Sequence, residues 1–207
     1  MIPQPFQKAA SPYGNTKRIC EEILHDAIAA DDSLRGIALR YFNPIGAHPS
    51  ALIGELPSGV PDNLVPFITQ TAVGVRQELR IFGDDYGTPD GSCIRDYIHV
   101  VDLALAHVVA VRRLVENREK RPFEYFNIGT GTGYSVLQVV CAFEKVSGVK
   151  LNCRVVDRRP GDIEQVWADT SLANRELGWK AEQGLGEMLA SAWKWEQRYR
   201  SINGKNS

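Results

Sequence analysis

Tyr13 and Lys17 stand four residues apart in Ser11-Pro12-Tyr13-Gly14-Asn15-Thr16-Lys17, which reads as the start of a helix. That spacing puts both side chains on one helix face, within reach of each other. A lysine ammonium beside a phenol favours the phenolate. Such a tyrosine can take a proton from a substrate hydroxyl while hydride leaves the same carbon. By itself the spacing equally fits an exposed helix start carrying a solvated lysine. A second candidate is the stretch Asn127-Ile128-Gly129-Thr130-Gly131-Thr132-Gly133, placed between a strand pattern and a helix pattern. The dinucleotide fingerprint G-x-G-x-x-G requires glycine at position 134, where this chain has Tyr134. Asp157, the next candidate acid at a strand end, lies beyond the usual ~20 residues after the fingerprint. A plain turn is the expected reading.

No metal site is expected. Cys20, Cys93, Cys141 and Cys153 form no C-x-x-C pair, and His25, His48, His99 and His107 lack ligand spacing. The thiols read as small core residues in a reducing compartment.

The elements that must position these residues alternate between helix and strand, which makes an α/β chain. Apolar residues at Ile19, Ile23, Ala27 and Ala30 predict a helix from about Tyr13 to Ala30, started by Ser11-Pro12. Gly36 to Phe42 reads as a buried parallel strand, and Asn43 to Pro49 as a loop. A helix is expected over Leu64 to Val75 with Asp62 or Asn63 near its N-cap, then a strand from Leu79 to Phe82. Further strands are expected at Asp96–Val100, Tyr125–Gly129 and Leu151–Asp157. Asp102 is placed to cap the helix after the first of these. Ser135 and Gln138 form a capping box for a helix ending before Gly148, and Gly184 to Arg200 reads as a final amphipathic helix. Met1–Ala10 and Ser201–Ser207 look loosely held.

Composition narrows the class. The 207 residues carry a formal net charge of −1, with 43% hydrophobic and 24% charged residues, as in an ordinary soluble globular protein. That balance argues against a general nucleic-acid binder. No apolar run reaches the roughly 18 residues of a membrane span, and the start has no apolar core of a secretory signal, so a cytoplasmic protein is expected.

Several segments then occur in a telling order: SPYGNTK, LRYFNPIGAH, PDNLVP, IRDYIHVVDLA, NIGTG and RPGD. Together they resemble the UDP-galactose (UDP-glucose) 4-epimerases of the extended short-chain dehydrogenase/reductase superfamily, from about Ser11 to Trp195. The implied fold is the end of a Rossmann-like doubly wound parallel sheet plus a smaller α/β substrate-binding domain. Residues 1–45 would be the remnant of the NAD-binding domain and 46–207 the UDP-sugar-binding domain, with part of 96–130 packing back on the Rossmann sheet. The implied activity is an isomerase reaction that interconverts UDP-galactose and UDP-glucose through a transient, NAD-dependent 4-keto sugar.

The resemblance also implies roles. Tyr13 would be the acid/base tyrosine, Lys17 would hold the nicotinamide ribose, and Phe42 would touch NAD. Asn43 would bond the nucleotide sugar, and Asn63 and Leu64 would contact UDP from a helix start. Arg80, Ile81 and Phe82 would line the uracil pocket. Arg95 and Arg159 would pair with the diphosphate, and Asp162 would accept ribose hydroxyls. Val166 stands where larger side chains exclude N-acetylated sugars, so UDP-N-acetylhexosamine could enter. A homodimer is implied for the full-length family. The family's glycine-rich NAD-binding half and its catalytic serine or threonine are not matched, and Asp62 replaces an asparagine. The chain is therefore expected to be a C-terminal part, truncated and inactive alone. Two alternatives stay open: another extended short-chain sugar-nucleotide enzyme, or a non-catalytic UDP-sugar-binding fragment.

Overall fold

The computed structural model describes residues 11–203. Expectations for Met1–Ala10 and for residues 204–207 lie outside these residues. Helix α1 (Pro12–Ala30) begins where Ser11 accepts a hydrogen bond from the Gly14 amide at 3.0 Å, with proline in its first turn. It leads into strand β1 (Gly36–Tyr41), which pairs in parallel with β5 (Phe123–Ile128) in the register Gly36 to Phe123 and Tyr41 to Ile128.

Strand alternation decides what covers each face of this pair. One face meets α1: a Cβ on Gly36 would touch Ile28 and Leu24, Arg40 pairs with Glu21, and His25 packs edge-on against Phe123. The other face meets helix α3 (Val100–Val115), where Leu103 and Ala106 join Phe126 and Ile128 with Ile37 and Leu39 alongside. Helices on both faces of parallel strands are the doubly wound arrangement. On the α3 face Arg113 and Glu124 form a nearly buried two-pronged pair, at 2.7 and 2.9 Å.

The second layer is built around β4 (Ile94–His99). It pairs with β2 (Asn43–Ile45) in parallel, with β6 (Gly133–Ser135) antiparallel and with the short β8 (Gln165–Val166) in parallel. A separate parallel pair joins β3 (Leu79–Phe82) to β7 (Cys153–Val156). Helices α2 (Leu64–Ala72), α4 (Val136–Ser147) and α6 (Leu185–Asn203) close the main core over Ile68, Phe143, Met188 and Leu189. The Ser135–Gln138 capping box and the left-handed Gly148 bound α4 as expected. A short helix α5 (Ser171–Glu176) packs near β5.

Several expectations change. Asn43–Ile45 is a strand rather than a loop; β2 is an edge strand, where a proline without a donor is tolerated. Helix α2 ends at Ala72, leaving Val75 outside it. Ser201–Asn203 continue α6. Cys20, Cys141 and Cys153 are exposed, so only Cys93 is a core thiol, and all four are free. The short β6, β8 and α5 carry too few residues for a readable period.

The cap of α3 is also different. His99 Nδ1 accepts from the Val101 amide at 3.0 Å, while Asp102 lies in the first turn and accepts from the Glu182 and Gln183 amides. His99 is buried and its Nε2 is 3.1 Å from Ser191 Oγ, whose own proton goes to the Met188 carbonyl. Nε2 therefore donates and Nδ1 keeps its lone pair, which makes a neutral ring. Burial holds its pKa below the ordinary 6.5, against smaller opposing pulls from Asp102 and Glu187. The unfolded chain thus binds the extra proton first. Stability from His99 is full above pH about 6.5 and is lost as pH falls through the folded pKa. Urea unfolding from pH 7 down to 5 should show this decline, with a shallower slope in His99→Asn, which keeps a cap acceptor but cannot titrate. Equal slopes would remove His99 from the effect.

Candidate functional site

A cleft of about 900 Å³ opens between β2, β3, β4, β7 and the start of α2. Asn43, Asn63, Leu64, Arg80, Phe82, Arg95, Arg159 and Asp162 all line it, although they span 120 positions of sequence. The topology explains the gathering. β2 delivers Asn43 opposite Tyr97 in register, and Arg95 lies one alternation away on the same strand. Asn63 is the N-cap residue of α2, and its amide nitrogen donates to Glu55 Oε1 at 2.7 Å rather than capping the helix. Arg80 and Phe82 share one face of β3.

Asp162 draws two arginines together. Its carboxylate takes a hydrogen bond from Arg95 at 3.2 Å and pairs with Arg159 at 3.4 Å, and the Arg159 guanidinium sits 4.4 Å from the centre of the Phe82 ring. At the other end Glu78 Oε1 pairs with Arg154 at 2.6 Å and Arg80 at 3.2 Å, which holds its carboxyl below the usual range. Five arginines (76, 80, 95, 154, 159) against Asp62, Glu78 and Asp162 leave the lining with an excess of two positive charges. Planar guanidinium forks suit phosphate oxygens. Burial pushes the Tyr97 phenol up to about 12, so it remains a protonated donor at the cleft wall.

Ile81 points the other way along β3 and is buried. Val166 is not in the lining; it lies beside Arg95 in the β4–β8 register. Tyr13, Lys17 and Phe42 are also outside the cleft. Ile28 lies near Gly36 and Glu21 near Arg40, so α1 runs antiparallel to β1 and its first turn lies toward the carboxyl end of that strand. Ligands of open α/β sheets bind at that end. Lys17 Nζ lies 5.1 Å from the centre of the Tyr13 ring, and Tyr13 is 71% exposed. Phe42 is the single residue between β1 and β2, so the cofactor-side candidates and Asn43 are chain neighbours.

The glycine-rich turn is occupied by the protein's own carboxylate. Asp96 accepts from the Thr130 amide and hydroxyl, the Gly131 amide and the Ala168 amide, at 2.6 to 3.1 Å. A Cβ on Gly129 would come within 2.5 Å of that carboxylate, which accounts for the glycine without a phosphate. Glu78, Arg154, Arg76 and Cys93 belong to the lining but carry no motif, and Tyr97 lies in the IRDYIHVVDLA segment without a role implied for it. The strand period around Leu79 and Cys153 was the available signal for Glu78 and Arg154. Among the described residues no cluster of His, Cys, Asp or Glu could hold a metal, and no helix is long and apolar enough to cross a membrane.

The end of a doubly wound sheet is thus joined to an arginine-lined cleft. The family model described as GDP-mannose 4,6 dehydratase matches residues 3–192, and the chain belongs to that family. Within it, the chain is 51% identical over 199 residues to the UDP-glucose 4-epimerase of Bacillus subtilis, covering 96% of this chain and 57% of that protein. It is 50% identical over 194 residues to the mouse UDP-glucose 4-epimerase, covering 94% and 55%. The UDP-glucose 4-epimerase of Stenotrophomonas maltophila, solved with NAD and formylated UDP-arabinopyranose, superposes with a TM-score of 0.90 at 48% identity, covering 98% and 60%. The chain thus spans little more than half the length of these relatives.

Proposed function

We propose that this chain is the nucleotide-sugar-binding portion of a UDP-glucose 4-epimerase, working with NAD. The observation that carries the reading is the Arg95–Asp162–Arg159 group in the cleft, because it gathers in one place the residues expected to hold the diphosphate and ribose. Arg95 and Arg159 would turn from Asp162 to the diphosphate, releasing the carboxylate to accept ribose hydroxyls. The anchor is then the nucleotide, so the hexose stays free to present either face. The Tyr13–Lys17 pair and Phe42, at the carboxyl end of β1, fit the nicotinamide end of the cofactor, whereas the Gly129–Gly133 turn does not fit its pyrophosphate. NAD, when bound, supplies a two-electron acceptor and donor for the sugar C4. Tyr13 would take and return the proton of the C4 hydroxyl, with Lys17 beside it.

The same reading takes residues 1–45 with the cofactor domain and most of 46–207 with the substrate domain, the β1–β5 pairing being the place where 123–128 rejoins the first. It takes the complete protein as a cytoplasmic homodimer acting on UDP-hexoses, in keeping with four free thiols. On the same reading the medium-sized Val166 would admit an N-acetyl group, although it lies outside the cleft lining and only its strand register with Arg95 ties it to the site. The test joins this chain to the part of the Bacillus subtilis relative that it does not match, then assays UDP-galactose and UDP-N-acetylgalactosamine. Conversion of both to their 4-epimers is expected. A dehydrated or decarboxylated product would favour another sugar-nucleotide reaction.

A further inference from the structure

We propose that Arg158, through its hold on Asp85 and Tyr86, is a positioning residue for Arg159 and Asp162 and so tunes the affinity of the cleft for a nucleoside diphosphate. The inference rests on the reading of the cleft as a UDP-sugar site. Two adjacent arginines part company where the chain leaves β7: Arg159 lines the cleft and Arg158 does not. Both are seated on the turn that follows β3. Arg159 lies 4.4 Å from the centre of the Phe82 ring, just before Gly83, and Arg158 lies 4.0 Å from the centre of the Tyr86 ring, just after it. Arg158 Nε also donates to Asp85 Oδ1, and a terminal nitrogen donates to the Asp85 carbonyl, each at 2.6 Å. A planar guanidinium can satisfy both acceptors while covering a ring, which fixes its direction. The turn is shaped for this. Gly83 has a left-handed φ of 81°, and a Cβ there would fall 2.5 Å from the Tyr86 ring and 2.9 Å from Arg158 Cγ.

The segment after β7 needs such a hold. Among the described residues, 157–163 makes no backbone hydrogen bond to another part of the chain; its backbone bond is local, from the Asp162 amide to the Arg159 carbonyl at 3.2 Å. Side chains must therefore place it. Arg159 and Asp162 meet each other and Arg95, but those are the contacts that a bound diphosphate and ribose would take over. The Arg158 grip falls on Asp85 and Tyr86, which lie outside the cleft lining, so it persists when the cleft fills. It keeps the segment in place while Arg159 and Asp162 change partners. Ordering a loop on binding is subtracted from affinity, so losing the grip weakens binding. Stability responds little. The Arg158 and Asp85 side chains are 45% and 69% exposed, and exposed ion pairs contribute little to folding. Tyr86 is buried and offers a fixed seat.

The test is calorimetric titration of UDP into the unsubstituted chain, Arg158→Ala, Asp85→Ala, Asp85→Asn, Arg159→Ala and the double variant Arg158→Ala/Arg159→Ala. Arg158→Ala should raise the UDP dissociation constant about tenfold, the scale of one hydrogen bond to a charged group. Asp85→Ala tests the sign. It removes a negative charge, so electrostatics alone would tighten the binding of an anionic nucleotide, whereas loss of the grip should weaken it about threefold or more. Asp85→Asn keeps an oxygen to accept from Arg158 Nε and should stay within about twofold of the parent. Because Arg158 acts in part through Arg159, its removal should cost about threefold in Arg159→Ala rather than tenfold. Unchanged UDP binding in Arg158→Ala would refute the positioning role, and so would Asp85→Ala binding as tightly as the parent or tighter. Full additivity of the two arginine substitutions would mean that Arg158 supplies only charge, which also refutes it. In each of these cases the parent still binds UDP, and the UDP site stands. A parent that binds no UDP overturns both. Melting temperatures should stay within about 4 °C of the parent; a larger fall in Arg158→Ala would assign the residue to folding instead.

Discussion

Tyr13→Phe, in this chain joined to the unmatched part of the Bacillus subtilis relative, is expected to lower epimerase turnover by about 10²–10⁴-fold, the usual scale for a lost acid–base group. The substitution removes one hydroxyl and keeps the ring, so the contact with the Lys17 ammonium, 5.1 Å from the ring centre, survives. Tyr13 is largely exposed at the first turn of α1 and accepts no packing role there, so the fold should not respond. It also lies outside the arginine-lined cleft, so UDP should bind the variant as it binds the parent. The predicted signature is a fall in kcat with an unchanged UDP dissociation constant, the pattern of an interaction made only on the way to the transition state. Comparable losses in UDP affinity and turnover would show that the residue acts through structure. Turnover within about threefold of the parent would take the proton-transfer role away from Tyr13.

What could be read from the sequence divides along physical lines. Helices with a strong apolar period and local end signals were legible: the Ser11 start of α1, and the capping box and left-handed glycine around α4, depend only on neighbours within four residues. Boundaries set by distant partners were not. His99 rather than Asp102 caps α3 because Asp102 is claimed by the Glu182 and Gln183 amides, some 80 positions away. Asn43–Ile45 becomes a strand only because β4 offers it an edge. The site shows the same split. The ordered motifs named Arg95, Arg159 and Asp162, and the fold brings Arg95 to 3.2 Å and Arg159 to 3.4 Å from Asp162. Glu78 and Arg154 belong to no motif. They reach the cleft through the β3–β7 register, a pairing across 74 positions that no local pattern encodes.

Asp96→Asn is expected to cost about 3–5 kcal/mol of stability, among the larger effects of a single substitution. Asp96 is fully buried and uses both carboxylate oxygens: one accepts from the Thr130 amide and hydroxyl, the other from the Gly131 and Ala168 amides. Asparagine preserves shape and volume, so the test isolates chemistry from packing. It offers one acceptor oxygen and one amino group. Turned one way, its amino group faces the Gly131 and Ala168 amides; turned the other, it faces the Thr130 amide, while the Thr130 hydroxyl can turn its proton to the Thr132 carbonyl 3.2 Å away. Each orphaned buried donor costs about 1–3 kcal/mol, and the bonds that survive lose their charged acceptor. For a chain of this size the melting temperature should fall by roughly 6–20 °C. The loss should reach the cleft, because Arg95 and Tyr97 flank Asp96 on β4 and line the cleft wall. The Asp96 bonds tie β4 to the Gly129–Gly133 turn and to Ala168, just past β8, so loosening them should weaken UDP binding below the melting transition. A variant that melts within about 2 °C of the parent would mean that the turn finds other partners. The carboxylate would then no longer explain why this glycine-rich turn needs no phosphate.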